Sequence, residues 1–272
     1  MRAKYNIVDS FKRDGRRLAG VVESERHTQP LEAAEASVRR ERRWLVDEQQ
    51  AFEQFAKRVR NLDADRPQSG VDRTLTRRDA SGLRVVRDAY EETVMSVPHY
   101  REEYDQPYAA SVAGELSEEL AAALTNCAQF HPHLKQKLLE ATQQAIDSRE
   151  QLIGIVDAER AAIETVSDTI DDLSADIDAL VGQPLDELEF NALRLTRERL
   201  RSVRDRCDEI AADRQATLQD QRRSLPAGID DLGEYLYADC ETTYPVLSAL
   251  AELRRHVDGL LTGTDRRLAR AA

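Results

Sequence analysis

The sequence predicts an all-α protein, an elongated antiparallel coiled-coil hairpin with additional helices packed on it. Three observations carry this reading. Apolar residues between Leu152 and Leu180 recur at alternating three- and four-residue spacing, the seam of a coiled coil. The same spacing resumes after a break at Gly182-Gln183-Pro184. Sustained two-residue alternation rich in Val, Ile, Thr and Tyr, the mark of a strand, is nearly absent.

The hairpin covers about 133–223. Its first arm places branched residues at Val156, Ile163, Ile170 and Ile177, with Leu152, Val166, Leu173 and Leu180 between them. The return arm continues through Leu193, Thr196, Leu200, Val203, Cys207 and Ile210. From Glu150 to Leu180 there are nine acidic residues and one Arg; from Asn191 to Arg223 there are nine Arg and six acidic residues. An acidic arm laid against an Arg-rich one gains flanking ion pairs. Each exposed pair adds only about 0.2–1 kcal/mol. The apolar seam therefore carries the stability, and the charges fix register.

The 272 residues divide into a weakly structured segment over 1–29 and a single elongated helical domain over 30–272. Aromatics at 5% and charged residues at 33% suit long, solvated helices. There are 51 acidic residues, and 34 of the 39 basic ones are Arg, for a net charge of −12. Such a surface suits a high-salt cytoplasm, where the Debye length at 1 M is only about 3 Å. It also disfavours nucleic acid or an anionic membrane as the main partner. Cys127, Cys207 and Cys240 fit neither a disulfide framework nor zinc spacing and are read as buried free thiols. No apolar run reaches the ~20 residues of a membrane span, and the first residues hold no apolar signal core, so a cytoplasmic protein is expected.

In chain order, Gly15 and Gly20 weaken any helix over the first 28 residues. Their spacing resembles the start of a phosphate loop, but Val21 and Val22 stand where Lys and Ser/Thr are required. Pro30 opens the first strong helix. Leu31, Val38, Leu45, Phe52 and Val59 fall seven apart, with Ala34, Glu41, Glu48, Phe55 and Leu62 as a companion row. The two glutamates make that stripe imperfect or turn part of it to solvent. Arg39-Arg-Glu-Arg-Arg43 beside Trp44 is the best nucleic-acid candidate, although a solvated, ion-paired face is the preferred reading.

Asp63 to Arg78 is a connecting loop. The next helix carries Leu83, Val86, Tyr90, Val94 and Val97 and ends at Pro98. Tyr90, Tyr100, Tyr104 and Tyr108 then cluster, either as a corner locked by amphipathic rings or, less favoured, as a pocket wall. A further helix carries Val112, Leu116, Leu120, Ala123 and Leu124. His131-Pro132-His133 offers a His-x-His pair without the third ligand zinc needs, and a helix start is preferred. Arg149 and Glu159 fall on the seam of the long helix, where either packing loosens or a polar contact sets register. After Ser224-Leu225-Pro226-Ala227-Gly228, one short helix covers about 230–239. Another starts at Pro245, buries Leu247, Leu250, Leu253, Val257 and Leu260, and frays after Gly263.

A nucleophile elbow, His-Glu-x-x-His, Cys-x-x-Cys, a dinucleotide glycine pattern and paired Glu-x-x-His are all absent. Glu252 and His256 lie one helical turn apart, as a surface pair does. No catalytic, cofactor-binding or metal-binding residue is assigned.

The segment from Arg87 to Tyr104, with Leu134-Lys-x-x-Leu-Leu139, Tyr235-Leu-Tyr237 and Tyr244-Pro-Val-Leu-Ser-Ala-Leu-Ala251, resembles a haloarchaeal family known only as a domain of unknown function. The resemblance runs from about Pro30 to the C-terminus. It implies an all-helical coiled-coil protein and supplies no activity, ligand or site residue. The expected function is a non-enzymatic helical scaffold or interaction module, bound to itself or another helical protein. The alternatives are a nucleic-acid regulator using the Arg-rich helices, or a small-molecule sensor with a tyrosine-lined pocket.

Overall fold

The computed structural model describes the backbone of residues 5–64, 79–127, 129–182, 188–226 and 228–271; side chains are described from Gln29, and after the first gap from Gly82. The described residues form nine α-helices and no strand. They are α1 Tyr5–Arg60, α2 Asp79–Glu91, α3 Tyr100–Glu103, α4 Tyr108–Glu115, α5 Glu118–Asn126, α6 Pro132–Val181, α7 Phe190–Arg222, α8 Leu232–Leu236 and α9 Pro245–Ala271. Among the described residues, no helix is long and apolar enough to cross a membrane. The chain divides into two compact units, 40–157 and a second made of 1–39 with 158–272.

In the unit 40–157, the α1 stripe buries Leu45, Phe52, Phe55 and Val59 at the expected helical spacing. Phe52, Phe55 and Val59 meet Val86 and Tyr90 of α2, Val112 of α4, Leu124 of α5 and Leu138 of α6 in the same core. The Phe55 and Tyr90 rings meet edge-on at 5.2 Å, as do Tyr90 and Tyr108 at 5.6 Å. That geometry sets a ring's positive edge against its neighbour's negative face. The helix expected from Val112 to Leu124 is instead two. Ser117 caps α5 by accepting a hydrogen bond from the Leu120 N–H at 3.1 Å, satisfying a donor that a continuous helix would have paired internally.

The α6 start agrees with the sequence: Pro132 is its first residue, and His131 Nδ1 accepts from the Leu134 N–H at 3.1 Å. Pro30, in contrast, lies inside α1 rather than at its opening turn. The first 28 side chains, the loop expected over 63–78 from residue 65 on, and the 183–187 part of the break after Gly182 lie outside the described residues. Of the segment expected to be weakly structured over 1–29, the backbone from Tyr5 on is part of α1.

In the second unit, Ile163, Ile170 and Ile177 of α6 are all buried, each seven residues from the next. On α7, Leu193, Thr196, Leu200, Val203 and Cys207 are buried at three- and four-residue intervals. Helix α9 lies along α7 and runs antiparallel to it. Arg197 pairs with Asp265 and Asp208 with Arg254, both at 2.6 Å, so eleven residues forward on α7 is eleven back on α9. The arginines of α7 were expected to pair along the acidic first arm; Arg214 does so with Glu159 of α6, whereas these two contacts join α7 to α9. Helix α9 also continues past Gly263 to Ala271 rather than fraying. Buried Leu261 and Thr264 hold that last stretch against the core, and the Arg267 guanidinium donates to the Gly263 carbonyl at 3.0 Å.

Asp231 caps α8, its Oδ1 accepting from the Gly233 and Glu234 N–H groups at 2.8 and 3.1 Å. Its Oδ2 accepts from Arg222 Nε at 3.0 Å and from the Tyr244 hydroxyl at 3.1 Å. Burial works to raise this carboxyl's pKa, but Arg222, the two amides and Tyr244 together hold it below the usual range. Gly233 is required beside it, because a Cβ there would sit 2.6 Å from the Thr243 carbonyl oxygen. Asp231→Ala is expected to cost about 0.5–2 kcal/mol of stability at neutral pH. A folded pKa below the unfolded one stabilises at pH above the unfolded value of about 3.9 and is lost as pH falls through the folded value. Denaturant unfolding of both proteins should therefore show their stabilities converging below about pH 4.

Candidate binding site

Helical period alone places Glu48 on the buried face of α1, between Leu45 and Phe52, and turns Arg149 of α6 inward beside Ala145 and Leu152. A carboxylate in that position needs partners, since desolvating an unpaired charge is costly. Glu48 has three. Its Oε1 accepts from the Tyr104 hydroxyl at 2.8 Å and lies 3.0 Å from His99 Nε2, and its Oε2 accepts from Arg149 Nε at 3.2 Å. Glu48 was expected to face solvent or spoil the stripe. It is instead a buried hub, because the turn after α2 brings in hydrogen-bond donors that no periodicity on α1 could announce.

That turn is built in steps. Thr93 bonds back to the Ala89 carbonyl at 2.7 Å, a 3-10 turn covers Val94–Ser96, and Pro98 follows. His99 is thereby fixed at the start of α3 and stacks on Trp44, with ring centroids 5.0 Å apart and planes 21° off parallel. Helix α3 ends at once. Asp105 takes the left-handed conformation, φ +39°, and its N–H and that of Tyr104 both donate to the Tyr100 carbonyl. Asp is among the few residue types that accept that conformation at modest cost.

Arg149 completes the cluster. Its Nη2 donates to Glu115 Oε2 at 2.5 Å, and its guanidinium lies over the Phe52 ring, 5.1 Å from the centroid. Burial pushes the Glu115 carboxyl above its ordinary pKa, against the pull of Arg149, and the negative charge of Glu48 adds to the rise. The Tyr104 phenol is raised as well, by burial first and then by Glu48 beside it. Tyr108 is lifted to about 12, chiefly by burial, although the Arg87 guanidinium lies over its ring at 5.0 Å.

Next to this cluster is a cavity of about 200 Å³, lined by Glu48, Glu115, Arg149, Tyr100 and Tyr104 among polar groups and by Phe52, Val94 and Val97 among apolar ones. At about 30 Å³ per water it holds roughly six waters. Gly114 lines it too, and a Cβ at that position meets no atom within 4 Å. Of the four tyrosines picked out in the sequence, Tyr100 and Tyr104 line the cavity. Tyr90 and Tyr108 are core residues, with the Tyr90 hydroxyl 3.1 Å from Ser111 Oγ. Two of the four tyrosines thus line a cavity and two lie in the core.

The second unit holds a comparable cluster without space beside it. Glu159 Oε1 accepts from Arg214 Nη2 at 2.5 Å and from the Tyr237 hydroxyl at 2.6 Å. All three residues are buried, and no room for a water remains among them.

The other sequence candidates do not converge on a site. Arg39 pairs with Glu35, Arg40 lies over Trp44 at 5.3 Å, and Arg42 bonds to Asp157 at 2.6 Å. His131 and His133 stack at 6.3 Å, and the described residues contain no group of three metal-ligating side chains. Glu252 and His256 are half-buried on α9. Cys127, Cys207 and Cys240 are free thiols, but of the three expected to be buried only Cys207 is: Cys127 is exposed and Cys240 half-buried, and burial lifts Cys207 to about 11.

The family model for a domain of unknown function, DUF7260, matches residues 29–260. The chain belongs to this family. The match begins one residue before Pro30, where the resemblance was placed, and ends short of the C-terminus. Within the DUF7260 span lie every residue of the Glu48 hub and its cavity, and the whole Glu159 cluster. No curated protein and no solved structure matches the chain.

Proposed function

We propose that this DUF7260 chain is a non-enzymatic, all-helical module that holds a small molecule in the cavity beside Glu48. One observation carries the reading: a cavity of about 200 Å³ lies beside the buried Glu48 and the half-buried Glu115 and Arg149, where close packing would be the lower-energy default. The Glu159 cluster of the second unit is closed tight, so charged residues do not by themselves leave a void in this fold. No reaction is assigned, because the cluster has no nucleophile paired with a base.

Trp44, the only tryptophan, stacks on His99 and so reports on the hub. Thermal unfolding and Trp44 emission, followed against small amines, polyols and carboxylic acids, should show one class raising the midpoint and shifting emission. The Gly114→Leu variant, which adds a side chain at a position lining the cavity, should lose both responses. Equal responses in the two proteins, or none in either, would remove the reading.

A second reading, the helical scaffold, draws support from the regular burial along α6 and α7. The Glu159–Arg214 contact pairs residues nearly equidistant from the break after Gly182, as an antiparallel coiled-coil hairpin requires. Its partner is then a helical protein or a second copy, in a salt-rich haloarchaeal cytoplasm that suits the acidic, Arg-dominated surface. The nucleic-acid alternative is weakened by the internal partners that Arg39, Arg40 and Arg42 already have.

A further inference from the structure

We infer that the ligand of this cavity is a small organic cation, a primary amine whose ammonium group sits against Glu115. The inference rests on the small-molecule reading above and names the class of molecule. Charge decides it. The ionisable side chains lining the cavity, apart from the phenols, are two carboxylates, Glu48 and Glu115, and one guanidinium, Arg149. Glu48 is committed to three donors, whereas Glu115 accepts from Arg149 through Oε2 alone; among the described residues its Oε1 accepts from no protein group. One negative charge is therefore left without a counterpart at the cavity wall. A guest carboxylate or phosphate would meet that charge directly, and an ammonium group neutralises it.

The walls agree with the charge. Phe52, Tyr100 and Tyr104 offer aromatic rings that attract a cation, and Val94 and Val97 offer aliphatic surface for a short alkyl chain. A bare metal ion needs neither that surface nor so large a space, and the described residues hold no three-ligand group for one. Burial and the nearby Glu48 disfavour the charged form of Glu115, and an ammonium group beside it favours that form.

The test uses the full chain at one fixed salt concentration with three probes of equal length, n-propylamine, n-propanol and propionate. Calorimetric titration and Trp44 emission read the binding. Propylamine is expected to bind at least ten-fold more tightly than propanol, with propionate silent. Glu115→Gln should remove that preference, and Gly114→Leu, which adds bulk to the lining without changing a charge, should abolish binding. If propanol or propionate binds as well as the amine, or Glu115→Gln keeps the preference, the cation assignment falls while the small-molecule reading stands. If amine binding survives Gly114→Leu, the amine sits elsewhere and the assignment falls. If none of the three probes binds, both are overturned.

Discussion

Glu159→Ala is expected to lower the unfolding free energy by about 3–5 kcal/mol, the usual cost of removing one partner from a buried ion pair. Glu159 is fully buried and Arg214 is only 7% exposed, so the guanidinium left behind cannot recover its hydration. The Tyr237 hydroxyl loses its acceptor in the same step. Burial and the charge of Glu159 hold that phenol neutral well beyond its ordinary pKa, so it serves only as a donor. Tyr237→Phe alone, which keeps the ion pair, should cost less, about 1.5–3 kcal/mol for a hydrogen bond to a charged group. The double variant Glu159→Met with Arg214→Met should regain most of the loss, because well-packed apolar residues often equal a buried ion pair. Urea denaturation of the four proteins measures all three values. A loss below 1 kcal/mol in Glu159→Ala would show that Arg214 finds water or another partner.

Glu48→Ala should cost about 3 kcal/mol, at the lower end of the same range, since Arg149 keeps Glu115 while His99 and Tyr104 lose their acceptor. It differs from Glu159→Ala in a second readout. His99 is stacked on Trp44, so release of the imidazole from Glu48 should change Trp44 emission in the folded protein. Glu159→Ala should leave native emission unchanged. A Glu48→Ala protein with wild-type stability and wild-type emission is incompatible with the hub.

Helical periodicity made much of this legible. It put Glu48, Arg149 and Glu159 on buried faces from spacing alone, and it marked Arg149 and Glu159 as places where a polar contact sets register. It could not say what they touch. His99 lies 51 residues from Glu48 and Arg214 lies 55 from Glu159, distances at which one helix's spacing carries no information about another's approach. The break between α4 and α5 was legible in principle, since Ser117 followed by Glu118 and Glu119 is a helix-start pattern. The smooth apolar run across it concealed the cap. Past Gly263 the weak local helix preference was overridden by packing of Leu261 and Thr264. The cavity was legible only as a cluster of tyrosines, because a space has no residue of its own.

The convergence of His99, Tyr104 and Arg149 on one carboxylate also has a hereditary side. A lineage that alters Glu48 strands three donors contributed by two other segments, so single changes there are costly and compensated ones need several coincident steps. The exposed arginines of α7 carry no such debt to one another and can drift singly. Among relatives of this chain, Glu48, His99, Tyr104 and Arg149 should therefore be inherited or lost as a block.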